Sequence, residues 1–144
     1  MPTGAFAVIF DDERRVLLCH RRDFDAWNLP GGGVDPNEAP WDAAVRETRE
    51  EVGVDIEIVR LTGVYWKPGK NEVVFNFEGR IVAGVPGTSD EADRVGYFAL
   101  DAMPPNTAPL QLERIREATA GGAPVFRAQT GAGIRDLFPA TVRE

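Results

Sequence analysis

The segment from Asn28 to Gly53 constrains this chain more than any other, because it leads a glycine loop into an amphipathic helix. Asn28-Leu29-Pro30-Gly31-Gly32-Gly33 predicts no regular structure and lets another group approach the backbone closely. Asp35-Pro36-Asn37-Glu38 has the spacing of a capping box, but using it would put Pro40 inside the first turns of the helix. Pro40 fits better at the first helical position, where its missing N–H costs nothing. This leaves Ala39 as a poor cap and makes 35–38 a turn. Gly53 supplies the left-handed cap at the other end. At about 100° per residue, Trp41, Val45, Thr48 and Val52 form a stripe roughly 60° wide that predicts a core-facing side. Glu47, Glu50 and Glu51 occupy an adjoining sector about 100° wide. Like charges at these spacings repel. A solvated acidic face has this composition, and so does a site for Mg²⁺ or Mn²⁺, which needs clustered hard oxygen ligands.

Around this segment the patterning alternates between strand and helix. Ala5 to Phe10, a polar turn at Asp11-Asp12-Glu13 and Val16 to Cys19 read as a hairpin. Val54 to Val59 and Glu72 to Val82 alternate like strands, the second with Val73, Phe75 and Phe77 on one face. Ala83 to Glu91 reads as a loop, Arg94 to Leu100 as a short strand, and Ala108 to Ala120 as a second helix ending at Gly121-Gly122. The tail, 123–144, carries mixed signals. Its Ile134, Leu137 and Phe138 suit a docked final turn, against Gly131, Gly133 and Pro139. Strands and helices without strict alternation imply an α+β chain or a mixed sheet between helices.

Composition narrows the function. The chain has 144 residues and a net charge of −7, a length that suits one domain, 1–144, with a sizeable core. Such acidity argues against nucleic-acid binding and against anionic membrane surfaces. No apolar run approaches the roughly 18 residues that cross a bilayer, and no signal peptide is visible. Cys19 is the only cysteine, which suits a reducing, cytoplasmic setting.

Gly32, Glu38 and the run Arg46-Glu47-Thr48-Arg49-Glu50-Glu51-Val52-Gly53-Val54 together resemble the Nudix box, Gly-x5-Glu-x7-Arg-Glu-U-x-Glu-Glu-x-Gly-U, where U is bulky and aliphatic. All its invariant positions are matched, and Thr48 is the one departure, at an aliphatic position. The resemblance implies a Nudix fold, with a mixed β-sheet sandwiched between helices. It also implies hydrolysis of a nucleoside diphosphate linked to another moiety. By the same resemblance, Glu47, Glu50 and Glu51 would hold Mg²⁺ or Mn²⁺ with the Gly31 carbonyl as a further ligand, and the general base lies among the acids. Glu38 and Arg46 would orient them, Arg46 through its fork of donors.

Outside the box, Glu91 in the acidic loop Asp90-Glu91-Ala92-Asp93 is either a further catalytic carboxylate, as family members often have, or a solvated acid. Arg21 and Arg22 end the second strand, one expected to grip a phosphate and the other to face water. Trp27 and Tyr65 are either base-stacking or core or rim aromatics. His20 reads as a packed or exposed strand residue and Cys19 as a core residue. Lys67 and Lys70, flanking Gly69, either meet a terminal phosphate or sugar or form a solvated turn. The expected substrate is a small nucleotide, with ADP-ribose-like sugars ahead of nucleoside triphosphates such as oxidised dGTP. The rival is a non-catalytic nucleotide-binding sensor of the same fold, and a homodimer is compatible with either.

Overall fold

A computed structural model of the chain describes residues 2–133 together with Leu137 and Ala140. The elements in chain order are β1 (Thr3–Ile9), β2 (Val16–Arg21), β3 (Trp27–Asn28), β4 (Gly31–Gly33), α1 (Pro40–Val52), β5 (Asp55–Lys67), β6 (Glu72–Ala83), β7 (Ala92–Phe98), α2 (Pro109–Ala120) and β8 (Val125–Ala128). They form a five-stranded mixed sheet of order β4-β1-β6-β5-β8 and a three-stranded antiparallel sheet of order β3-β2-β7. Within the larger sheet β1 and β6 run parallel, as do β5 and β8.

Strand β1 is covered on both faces, which is why it reads as an apolar run and not as an alternating one. Ala5 packs with Ala43 and Ala44 of α1 and with Phe77, while Val8 on the opposite face packs with Ile115 and Ala118 of α2. The two helices therefore lie on opposite faces of the sheet, the α+β sandwich expected.

Several expectations need correction. β1 and β2 are joined by the polar turn but are not a hairpin in one sheet, and only a Phe10–Val16 bridge links them. Both edges of β1 are taken, by β4 and β6, so β2 is left to pair with β3 and β7. The stripe on α1 is also shifted. Ala43, Ala44, Thr48 and Val52 are buried, whereas Trp41 is 55% exposed. Alanine lets the helix approach the sheet more closely than tryptophan would, so the first turn overhangs it. Thr48 is accommodated because its hydroxyl donates to the Ala44 carbonyl at 2.7 Å. The glycine segment is not wholly irregular, since Gly31–Gly33 forms β4 against β1. At Gly31, where φ is +154°, a Cβ would sit 2.4 Å from the Ala5 carbonyl oxygen. The cap residues are as predicted: Ala39 makes no side-chain cap, Pro40 opens α1 and Gly53 is left-handed at φ +74°. In the tail, Ile134 and Phe138 lie outside the described residues and Leu137 is 49% exposed, not docked.

Candidate active site

Three acids from two elements converge beside β4. Glu47 and Glu51 project from α1 and Glu91 from the loop before β7, and one carboxylate oxygen from each lies within 4.8 Å of the others. Gly32 makes room for this, because a Cβ there would meet the Glu47 carboxylate at 2.8 Å. The Gly31 N–H donates to Glu51 Oε2 at 3.2 Å, so the residue expected to offer a carbonyl to a metal also anchors the acid through its amide. Cys19 Sγ lies 3.6 Å from the same oxygen, in the floor of the site.

Glu50 is not brought into the trio. It is 47% exposed and sits on the guanidinium of Arg46, whose Nη1 donates to it at 3.2 Å and to Glu47 Oε1 at 3.1 Å. The other side of that guanidinium holds Glu38 through two bonds, Nε to Oε2 at 2.8 Å and Nη2 to Oε1 at 2.9 Å. Nη2 also donates to the Gly33 carbonyl at 3.1 Å. Arg46 thus ties helix, turn and glycine strand together, and through that fork it orients two of the acids. Its hydrogen bond to Glu38 holds that carboxyl down at about 2, and the same bond keeps the guanidinium above its ordinary range.

Crowding works the other way on the converging acids. Burial, with the charges of Glu47 and Glu91, pushes Glu51 up to about 8 despite the Gly31 amide. Burial also raises Glu47, opposed by Arg46 and assisted by Glu50 and Glu91. Hard oxygen donors that resist losing their protons without a counter-charge suit a divalent cation, so the trio fits the metal site expected of such a chain.

Glu51 and Glu91 line one lobe of a two-lobed cleft. This lobe, about 420 Å³, is bordered by Cys19, Arg21, Arg22, Asn28, Glu51 and Glu91. A second lobe of about 410 Å³ adjoins it across Phe6, Arg21, Gly32 and Gln111, which border both. Arg21 and Arg22 are half-buried at the acid lobe, so neither simply faces water; Arg21 Nε donates to Asp23 at 2.7 Å and Arg22 Nε to the Ser89 carbonyl at 2.9 Å. Trp27 does not stack over the cleft. It is 9% exposed, lines neither lobe, and packs edge-on against His20 and Phe98 in the core. Tyr65 is likewise buried, its hydroxyl 3.3 Å from Glu117. His20 is buried between Asp93 and Asp25, at 2.7 Å and 2.8 Å.

Two cleft residues escaped the sequence reading. Gln111 Oε1 accepts from the Leu29 N–H at 2.6 Å, holding the segment before β4, and Arg114 borders the second lobe. The signal was present: Gln111, Arg114, Ile115 and Ala118 form an i, i+3, i+4, i+7 face that is buried against the sheet, with two polar members.

Known proteins agree with this geometry. Residues 1–118 match the NUDIX domain. The chain is 32% identical over 133 residues, 92% of its length and 84% of the relative's, to a MutT-like protein of Streptomyces ambofaciens. Among solved structures it is similar to an ADP-ribose pyrophosphatase from Streptococcus suis, with 27% identity and a TM-score of 0.73, covering 89% of this chain and 98% of that one. A NUDIX hydrolase from Nitrosomonas europaea shares the fold with a TM-score of 0.79 at 24% identity, covering 90% of this chain and 79% of that one. The acids of α1, the glycine strand against them and the sandwich that brings them together place this chain in the Nudix hydrolase family, as a pyrophosphohydrolase.

Proposed function

We propose that the chain, as a single domain, hydrolyses the diphosphate bond of a small nucleoside diphosphate derivative with the help of Mg²⁺ or Mn²⁺. ADP-ribose-like compounds are its preferred substrates. The observation that carries this reading is the cleft's form: acids lie in one lobe, and a second lobe of similar size adjoins it. A diphosphate flanked by a group on each side needs both, and a solved relative is named an ADP-ribose pyrophosphatase. A cytoplasmic setting and a freely diffusing substrate belong to the same reading.

Glu47, Glu51 and Glu91 would hold the cation, with the Gly31 carbonyl available as a further donor; Glu50 joins them only if Arg46 releases it. When bound, the cation supplies positive charge against the diphosphate oxygens and acidifies water. The rest falls to the protein. Arg21 and Arg22 bind phosphate oxygens at the lobe's rim, and Arg46 fixes Glu47 and Glu38. One of the crowded acids takes the proton of the attacking water. The water oxygen bonds to one phosphorus as the bridging oxygen leaves with the other phosphate, a step governed mainly by charge and positioning.

The test is kcat/KM with Mg²⁺ across ADP-ribose, NADH, diadenosine polyphosphates, nucleotide sugars and dNTPs. ADP-ribose or a close analogue is expected to lead. A preference of about 100-fold for a triphosphate, roughly 2.7 kcal/mol in transition-state binding, would overturn the substrate. Bound nucleotide without turnover of any compound would favour the sensor instead.

A further inference from the structure

The second lobe of the cleft is cationic in a chain that is acidic overall. Arg21, Lys67, Lys70 and Arg114 border it, against Glu72 alone among its described acids. The least expected of these is Arg114, on the buried face of α2 and only 1% exposed. Its Nε donates to Gln129 Oε1 at 3.0 Å. The Gln129 amide nitrogen is itself committed to the Leu110 carbonyl and to Glu113, both at 2.9 Å, so the guanidinium is held in one orientation. The Phe6 and Tyr65 rings flank it, with centroids at 5.7 Å and 5.3 Å. Its Nη2 is buried with no hydrogen-bond partner among the described residues. Native structures seldom leave a charged donor in that state unless a ligand or water completes it.

Two neighbours make the same demand. Lys67, half-buried, has Glu72 at 3.3 Å, and burial together with the charge of Arg114 keeps its ammonium below the usual range. Lys67 thus shares Glu72 with the field of Arg114, whose guanidinium also feels Glu113 but makes no ion pair with either carboxylate among the described residues. The N-terminus of α2 also borders the lobe through Ala108, Pro109 and Leu110, and Ala108 provides no side-chain cap. A helix N-terminus favours negative charge. A neutral carbonyl would satisfy one Arg114 donor and leave the lysines and the helix end unanswered. A group with several charged oxygens answers all three.

We propose that this lobe binds a phosphate monoester, carried by the part of the substrate that lies beyond the diphosphate. The assignment rests on the reading that the diphosphate sits over Glu47, Glu51 and Glu91. The preferred substrates are then nucleoside diphosphate derivatives with an additional phosphate on that group. The Lys67-Pro68-Gly69-Lys70 turn is a specificity element of the site and not merely a solvated loop.

The first experiment needs no turnover. Thermal unfolding is followed in EDTA with inorganic phosphate against chloride at matched ionic strength. Phosphate is expected to raise Tm in the wild type, and Lys67→Gln and Arg114→Gln are each expected to abolish most of the rise. Lys67 is at the rim, so its variant carries the test alone if the buried Arg114→Gln fails to fold. No rise in the wild type, or a rise that survives Lys67→Gln and any folded Arg114 variant, would overturn the site. The second experiment compares ADP-ribose with the same compound bearing a phosphate monoester on either ribose. One phosphorylated form is expected to have a KM at least tenfold lower, and Lys67→Gln to bring the two KM values to near parity. Equal KM values despite phosphate binding in EDTA would mean that the lobe takes free phosphate and would overturn the substrate assignment. Phosphate binding lost in Lys67→Gln, with neither compound turned over, would support the lobe while counting against the hydrolysis proposed above.

Discussion

The crowding of Glu51 predicts a specific dependence of stability on pH in the metal-free protein. Its carboxyl is pushed up to about 8 in the folded chain, against an ordinary value of 4.5. The folded state therefore holds a proton that the unfolded state has released, and stability must fall as pH rises through that window. Taken whole, the difference corresponds to a ceiling of about 5 kcal/mol. Glu51 borders an open cleft, and screening by water there reduces the expected loss to about 2–3 kcal/mol between pH 5 and pH 8. Glu51→Gln removes the more strongly raised group while keeping its size, so the variant should have a clearly shallower slope over the same range, with Glu47 supplying what remains. In EDTA at pH 8 it should be the more stable protein, by about 5–10 °C in Tm for a chain of this length. Urea unfolding at half-unit pH steps in EDTA measures this. A wild type whose stability is level from pH 5 to pH 8, or a Gln variant that follows the same slope, would refute the claim that the uncompensated acid is held in the fold at a cost.

Three further outcomes follow from the site. Millimolar Mg²⁺ should raise the wild-type Tm at pH 8, by about 2.7 kcal/mol of stability at 100 times its dissociation constant, and much less in Glu51→Gln; calorimetric scans with and without EDTA read both. Gly32→Ala places a methyl group 2.8 Å from the Glu47 carboxylate, so kcat should fall by about tenfold or more through displacement of that acid. Its Tm should change little, because the neighbour is the end of a side chain. Gly31→Ala meets backbone at 2.4 Å instead and should unfold several degrees earlier. Arg46→Lys removes the two-point grip on Glu38 and the bond to Glu47, and kcat should drop about 10- to 100-fold with intact circular dichroism.

What the sequence disclosed was the part fixed locally. The Pro40 start, the Gly53 cap and the acidic sector of α1 depend on residues within a few positions of one another, and each is where the pattern puts it. Features set by distant partners were harder to see. β5 continues to Lys67 although its alternation fades after Val59, because bulges at 58–60 and 61–63 shift its register against β6. Gly63 belongs to the second of these, where a Cβ would meet the Tyr65 hydroxyl at 2.6 Å. β8 is a short edge strand with an exposed Phe126, and so lacks an alternating signature. In the site, a helical wheel groups Glu50 with Glu47 and Glu51 but cannot weigh Arg46 against the cluster. The structure gives Glu50 to Arg46 and brings Glu91 in from another element. Trp41 departs from its predicted core stripe for a related reason: whether an aromatic is core or surface depends on what the opposing sheet leaves room for.

The most direct test of the central claim, that carboxylates on α1 would hold a cation needed for diphosphate hydrolysis, is the turnover of Glu51→Gln beside the wild type. Both are assayed at saturating Mg²⁺ on whichever compound of the panel the wild type hydrolyses fastest. The account predicts a loss of about 1,000-fold or more in kcat, roughly 4 kcal/mol of transition-state stabilisation, in a protein that remains folded. A Glu51→Gln enzyme that keeps most of the wild-type rate would contradict it.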